Sequence, residues 1–301
     1  MLSQEAMKIK GFLYSMKNTA EADIPLEQKR QGYDSMLIKF SKVPEGTDIE
    51  RTSIVGIPCE WIKARDVSDN GKTILYIHGG SFFAGSLDTH RGFAASLSEA
   101  AGARALLFEY RLAPLNKFPA ALEDTLSIYR HLLGTGVKSG DIIIGGDSCG
   151  AMLALLLLQE LKEKGEPLPA GALLLSLFGD AVHFDGESYI SKADADPIST
   201  LKGSRADLDI FVDHDNPMTE KLCPIGQDMK GLPALFIQSG SDEVALSDAE
   251  RLAERARKAG VNVELEIWDG MWHCFQTLYA ILPEARDAVG HAGSYVKRIL
   301  G

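Results

Sequence analysis

Apolar residues follow two alternating patterns along most of this chain: short continuous runs, and longer segments with helical spacing. Six runs from residue 73 onward read as strands, at 73–79, 103–110, 141–147, 171–178, 234–240 and 261–269. The helical stretches between and after them lie at 89–101, 119–133, 148–164, 246–259 and 284–300. Several runs are apolar throughout, which is typical of strands covered on both faces. This alternation predicts an α/β fold with a mostly parallel sheet.

The segment before residue 73 has a different pattern. Residues 1–45 are predicted to be mostly helical, and the stretches 48–58 and 59–67 are predicted to form an antiparallel pair of strands. These two strands bring the predicted sheet to about eight. One apolar helical face is formed at i, i+3, i+4 and i+7 by Tyr33, Met36, Leu37 and Phe40.

One long polar stretch interrupts the alternation of predicted strands and helices. Residues 181–230 are rich in Asp, Pro and Gly, with some helical potential. A long insertion between core strands is typical of a lid. We therefore expect a single domain over residues 1–301, with a helical cap built from about 1–45 and about 181–220.

Composition narrows the range of partners. The chain has 301 residues, 45% of them hydrophobic, and a net charge of −11, so a well-packed domain is expected and nucleic acid or an anionic membrane would be repelled. The N-terminal segment lacks the apolar core and cleavage site of a signal peptide, and the longest apolar run, 151–158, is too short to span a bilayer.

The cysteine pattern predicts neither a metal site nor a disulfide framework. The spacings of the four cysteines match no zinc or disulfide pattern. Four thiols in a chain of this length favour a reducing cytoplasm. The four residues are Cys59, Cys149, Cys223 and Cys274.

A serine and a cysteine, both nucleophile types, stand side by side in the sequence IIIGGDSCGAML. Gly146 to Gly150 form G-x-S-x-G between a predicted strand and a predicted helix, which is the context of a nucleophile elbow. Flanking glycines allow strand and helix to approach closely, and the helix N-terminus favours developing negative charge. This context assigns the nucleophile position to Ser148 and leaves Cys149 as a small side chain packed under the elbow.

A serine nucleophile needs a base, and the base needs an acid to orient it. The expected chain order for this motif is Ser, acid, His. His273 follows the last predicted strand, and Asp242 follows the strand 234–240, so both loops reach the same sheet edge as Ser148. Asp242 is the first choice of acid, with the adjacent Glu243 as the alternative.

Acyl transfer also needs hydrogen-bond donors for the oxyanion. The glycine-rich stretch HGGSFFAGS follows another predicted strand end. We expect the backbone amides of Gly80 and Ser81 to form the oxyanion hole together with that of Cys149. Gly79 takes part instead if the register differs by one residue.

Five blocks in order along the chain resemble the hormone-sensitive-lipase-like family of α/β-hydrolase carboxylesterases. They are HGGSFFAGSLDTHR, YRLAPLNKFPAALED, GDSCGAML, GSDEVALSDA and GMWHCF. The resemblance runs from about residue 73 to 296, and it implies an α/β-hydrolase fold with catalytic Ser148, Asp242 and His273. Two departures are Ser81, where the family has a third glycine, and Cys149, where alanine is commoner.

The resemblance also implies an activity. Members of this family hydrolyse carboxylic esters, typically with short or medium acyl chains, need no metal or other cofactor, and in many cases form homodimers. The expected substrate is a small ester. Two alternatives stay open: hydrolysis of an amide, carbamate or lactone by the same triad, and a ligand-binding relative with an inert site.

Overall fold

A computed structural model of the chain describes residues 2–17 and 24–301. Residue 1 and residues 18–23, which belong to the predicted N-terminal helical segment, lie outside the described residues. The described part of that segment contains two helices. Within the described residues, no helix is both long and apolar enough to cross a bilayer.

Eight strands form one sheet, as predicted. They are β1 (Asp48–Ile54), β2 (Ile57–Lys63), β3 (Thr73–Ile77), β4 (Arg104–Phe108), β5 (Ile142–Asp147), β6 (Gly171–Leu175), β7 (Ala234–Gly240) and β8 (Val263–Trp268). Their spatial order is β1-β2-β4-β3-β5-β6-β7-β8. The pairs β1–β2 and β2–β4 are antiparallel, and all other neighbours are parallel.

Helices cover both faces of the sheet. The α-helices among the described residues are α1 (Gln4–Lys17), α2 (Leu26–Phe40), α3 (Leu87–Ala101), α4 (Ala120–Gly134), α5 (Cys149–Glu163), α6 (Ser188–Ser191), α7 (Leu201–Phe211), α8 (Leu246–Lys258) and α9 (Pro283–Leu300). Buried side chains of α4, α5 and α8 pack on one face, and those of α3 and α9 pack on the other. In β3, Leu75 points to the first face and Tyr76 to the second. This two-sided burial explains why the strands are apolar throughout.

Most predicted strands differ from the observed ones by one to four residues at an end. Local backbone geometry explains two of these differences. The chain turns between β1 and β2 at Val55 and Gly56, both with positive φ, rather than between residues 58 and 59. Strand β6 ends at Leu175 because Ser176 adopts a φ of 50°, which turns the chain out of the extended conformation.

The carboxyl ends of the central strands open into a cavity of about 440 Å³. Its walls come from the sheet edge, from α1 and α2, and from the insertion after β6, which contains α6 and α7. The two segments predicted to form a cap therefore line one cavity together.

Candidate active site

Ser148 occupies a sharp turn between β5 and α5. Its backbone adopts φ 53° and ψ −122°, a conformation that is costly for a residue with a side chain. Glycines on either side make the turn sterically feasible. A Cβ on Gly146 would lie 2.5 Å from the backbone of Gly150, and one on Gly150 would lie 2.1 Å from the carbonyl oxygen of Ile77. The turn presents the Ser148 hydroxyl to the cavity.

The Ser148 hydroxyl forms a hydrogen bond with His273. The distance from Oγ to Nε2 is 2.9 Å, and both residues are buried. On the other side of the ring, His273 Nδ1 lies 3.2 Å from Oε2 of Glu243. A hydroxyl, an imidazole and a carboxylate thus stand in line, which is the arrangement that lets a histidine activate a serine.

The structure corrects the predicted acid. Asp242, the first choice from the sequence, does not contact His273. Its carboxylate forms an ion pair with Lys10 of α1, and Lys10 also donates a hydrogen bond of 2.9 Å to the carbonyl of Gly270. Glu243, which the sequence left as the alternative, occupies the position beside the histidine.

Glu243 is held in place from two sides. Its Oε1 accepts hydrogen bonds from the backbone amide of Gly240 at 2.5 Å and from the hydroxyl of Ser176 at 2.7 Å. Glu243 is fully buried, so its second oxygen is left for His273. The positive φ that ends β6 early at Ser176 therefore also brings a hydroxyl to this carboxylate.

Electrostatics favour the charged form of His273. Burial lowers the pKa of its imidazole, but the hydrogen bond and charge of Glu243, together with the charges of Asp196 and Asp147, outweigh burial and raise the pKa above its usual 6.5. Sequence reasoning missed Asp196. This buried carboxylate accepts a hydrogen bond from the Val244 amide, directly beside the Glu243 loop.

The predicted oxyanion donors separate into two groups. Gly80, Ser81 and Cys149 line the cavity beside Ser148, and the Ser81 amide also interacts with the Cys149 sulfur. The amide of Gly79 donates instead to Oδ1 of Asp147 at 3.1 Å. The alternative register with Gly79 as a donor was therefore wrong, because that amide is already bonded away from the cavity.

Neither cysteine near the serine is suited to act as a nucleophile. Burial raises the pKa of the Cys149 thiol to about 12, and its sulfur accepts a hydrogen bond from the Phe82 amide at 3.3 Å. Burial and the charge of Asp147 raise the pKa of Cys274 well above its usual value. A thiol is much less nucleophilic than a thiolate, so Ser148 is the better nucleophile candidate than either cysteine.

One group of metal-type side chains lies outside the cavity. Asp180, His183 and Cys223 bring their ligand atoms within 4.8 Å of one another. Oδ1 of Asp180 already accepts hydrogen bonds from the backbone amides of Val182 and His183, and from the ring of His183. These hydrogen bonds form the turn that starts the insertion, and they explain why Asp180 and His183 lie close together.

Comparison with known proteins places the chain in a family. The family described as alpha/beta hydrolase fold matches residues 74–277, and the chain belongs to it. Within that family it belongs to the hormone-sensitive-lipase-like branch, as the sequence blocks suggested. A crystal structure of an esterase from the bacterial hormone-sensitive lipase family superimposes with a TM-score of 0.93 and 34% identity, over 100% of both chains.

Curated relatives extend over nearly the whole chain. An acetyl-hydrolase of Streptomyces hygroscopicus is 35% identical over 92% of this chain and 91% of its own length. An esterase of Acinetobacter venetianus is 35% identical over 93% of this chain and 92% of its own length.

Proposed function

We propose that this protein is a serine carboxylesterase, with Ser148 as nucleophile, His273 as general base and Glu243 as the orienting acid. The observation that carries the proposal is the bonded line from Ser148 Oγ through His273 to Glu243 Oε2, with the serine open to the cavity. Relatives named as esterases and an acetyl-hydrolase support the reaction class.

The proposed reaction uses these three side chains in turn. Ser148 Oγ attacks the ester carbonyl while its proton passes to His273 Nε2, and Glu243 stabilises the imidazolium. We infer that the amides of Gly80, Ser81 and Cys149, which line the cavity beside the serine, bind the oxyanion. The leaving alcohol takes the proton from His273 and leaves an acyl-enzyme. Water then attacks the acyl carbon with His273 as base, which releases the carboxylic acid and restores the serine.

The cavity supports a small ester with a short or medium acyl chain. Its walls are mainly apolar, with aromatic and aliphatic side chains from α1, α2 and the sheet edge, and such walls favour alkyl groups. The proposal includes a helical cap, a cytoplasmic location in which all four cysteines remain thiols, and the homodimer that the family resemblance implies.

The test is steady-state hydrolysis of p-nitrophenyl esters from acetate to decanoate, alongside the matching anilides and a lactone. Esters of short to medium chains are expected to be turned over, with activity abolished in Ser148→Ala while the circular dichroism spectrum is unchanged. Turnover of anilides or the lactone in preference to esters would replace the proposed reaction with one of the alternatives. No turnover of any substrate would favour an inert site.

A further inference from the structure

The loop that carries two proposed oxyanion donors has a strained backbone. Ser81 and Phe82 are consecutive residues with φ of 51° and 62°. Residues other than glycine adopt this left-handed region at a cost, and they keep it only where surrounding contacts hold them. Glycine at position 81, as in the resembling family, would adopt it freely. Something outside the loop must therefore hold Ser81 and Phe82.

Helix α7 of the insertion contacts both strained residues. Ser81 and Asp207 both line the cavity, and the Ser81 hydroxyl is close enough to the Asp207 carboxylate to lower its pKa by hydrogen bonding. The ring of Phe82 stacks on Phe211, with centroids 3.6 Å apart and an interplanar angle of 4°. Asp207 and Phe211 are four residues apart on α7, so they lie on one helix face.

The end of α7 is itself anchored to the body of the protein. The backbone amide of Phe118 donates to the carbonyl of Phe211 at 2.9 Å, and the Phe118 ring packs edge-on against the Phe211 ring. Phe211 is fully buried. Because its end is anchored in this way, α7 can hold the 80–82 loop in a fixed position.

We infer that α7 clamps the 80–82 loop, with Asp207 as a positioning residue that acts through the Ser81 hydroxyl to aim the amides of Gly80 and Ser81 at the oxyanion. This inference rests on the proposed function for its catalytic consequence. It assigns to the insertion a part in assembling the catalytic centre, beyond covering it, and it explains how this chain accommodates serine at a position suited to glycine.

The hydrogen bond, not the negative charge, is the useful property of Asp207. A carboxylate in the cavity wall near the oxyanion opposes the charge that develops in the transition state. Burial raises the pKa of Asp207, and the Ser81 hydrogen bond and the charge of Lys29 oppose that rise. Asparagine keeps an acceptor oxygen for Ser81 without the charge, so it should replace Asp207 with little loss.

The first experiment compares Asp207→Ala, Asp207→Asn and a matched control, Asp209→Ala, with p-nitrophenyl butyrate. Asp209 lies on the exposed side of the same helix and pairs with His214. We expect Asp207→Ala to lower kcat about tenfold, the worth of one net hydrogen bond, with KM within about twofold. Asp207→Asn should stay within about threefold of the wild type in kcat, and Asp209→Ala should match the wild type.

A double-mutant cycle tests whether Asp207 acts through Ser81. In Ser81→Gly the hydroxyl is gone and the backbone no longer needs holding, so adding Asp207→Ala should lower kcat by less than about twofold. Ser81→Ala keeps the strain without the hydroxyl and should lose as much as Asp207→Ala. A tenfold loss that persists in the Ser81→Gly background would overturn the inference. So would a rise in KM with unchanged kcat, or an Asn variant as poor as the Ala variant.

Hydrogen–deuterium exchange provides a readout that needs no turnover. Amides of residues 79–85 should exchange faster in Asp207→Ala than in the wild type or in Asp209→Ala, and unchanged exchange would contradict the clamp. A wild type with no esterase activity would refute the proposed function, and the exchange result would still decide the clamp. If Asp207→Ala does not fold, the Ser81→Ala variant carries the same comparison.

Discussion

Replacing Glu243 by glutamine should disable catalysis while leaving the fold in place. Glutamine has the same shape as glutamate but carries an NH₂ group in place of one carboxylate oxygen. Oε1 of Glu243 accepts from two donors, the Gly240 amide and the Ser176 hydroxyl. The amide oxygen of the glutamine will occupy that position, and its NH₂ group will face Nδ1 of His273, which now lies beside Oε2.

This orientation reverses the histidine tautomer. Nδ1 must then accept a hydrogen bond, so Nε2 carries the proton and cannot take one from Ser148. Loss of the orienting carboxylate in a triad of this kind costs about 10⁴-fold in kcat. We expect a loss of about 10³- to 10⁴-fold for Glu243→Gln, measured as kcat with saturating p-nitrophenyl butyrate and with Ser148→Ala as the background rate.

Asp242→Asn is the matched control, because it is the same chemical change one residue earlier. Its carboxylate faces Lys10 rather than His273, so kcat should stay within about threefold of the wild type, given the small worth of a partly exposed ion pair. The reasoning fails if Asp242→Asn loses 10³-fold or more while Glu243→Gln stays within tenfold.

Three further predictions concern the pH profile, the neighbouring thiol and the cap. The pKa of His273 is raised and its neutral ring is the base, so kcat/KM should fall with decreasing pH around a midpoint above 6.5. In Glu243→Gln the residual activity should have its midpoint at lower pH. An unchanged midpoint would contradict this expectation. Cys149→Ala should keep kcat within about fivefold, since the proposed donor is its backbone amide, and a loss comparable with Ser148→Ala would assign chemistry to the thiol. Lys10→Met should lower Tm by about 1–3 °C, because one partly buried ion pair is worth about 1 kcal/mol, and an unchanged Tm in a thermal melt would refute a stabilising role.

Much of the fold could be predicted from the sequence because parallel strands buried on both faces leave a strong signal. Strand β7 has the predicted bounds of 234–240, and α8 begins at Leu246 as predicted. Two of the boundary errors came where a residue other than glycine adopts positive φ, at Val55 and Ser176. The pattern of apolar residues carries no information about such a local backbone choice.

The choice between two adjacent carboxylates depended on tertiary contacts. Both Asp242 and Glu243 follow the same strand end, so chain position could not separate them. Two tertiary contacts separate them. Lys10, which lies more than two hundred residues away in the chain, pairs with Asp242. Ser176 holds Glu243 toward the histidine. The role of Asp207 was hidden for the same reason, since it lies in a polar insertion whose path over the sheet the sequence does not specify.

Labelling with a fluorophosphonate, read by intact mass and peptide mapping, tests the central claim most directly, because the reagent reacts with an activated serine. The account predicts one phosphonyl group per chain, located on Ser148, with no label in Ser148→Ala and greatly slowed labelling in His273→Ala. Label on Cys149, or equal labelling of the wild type and Ser148→Ala, would contradict it.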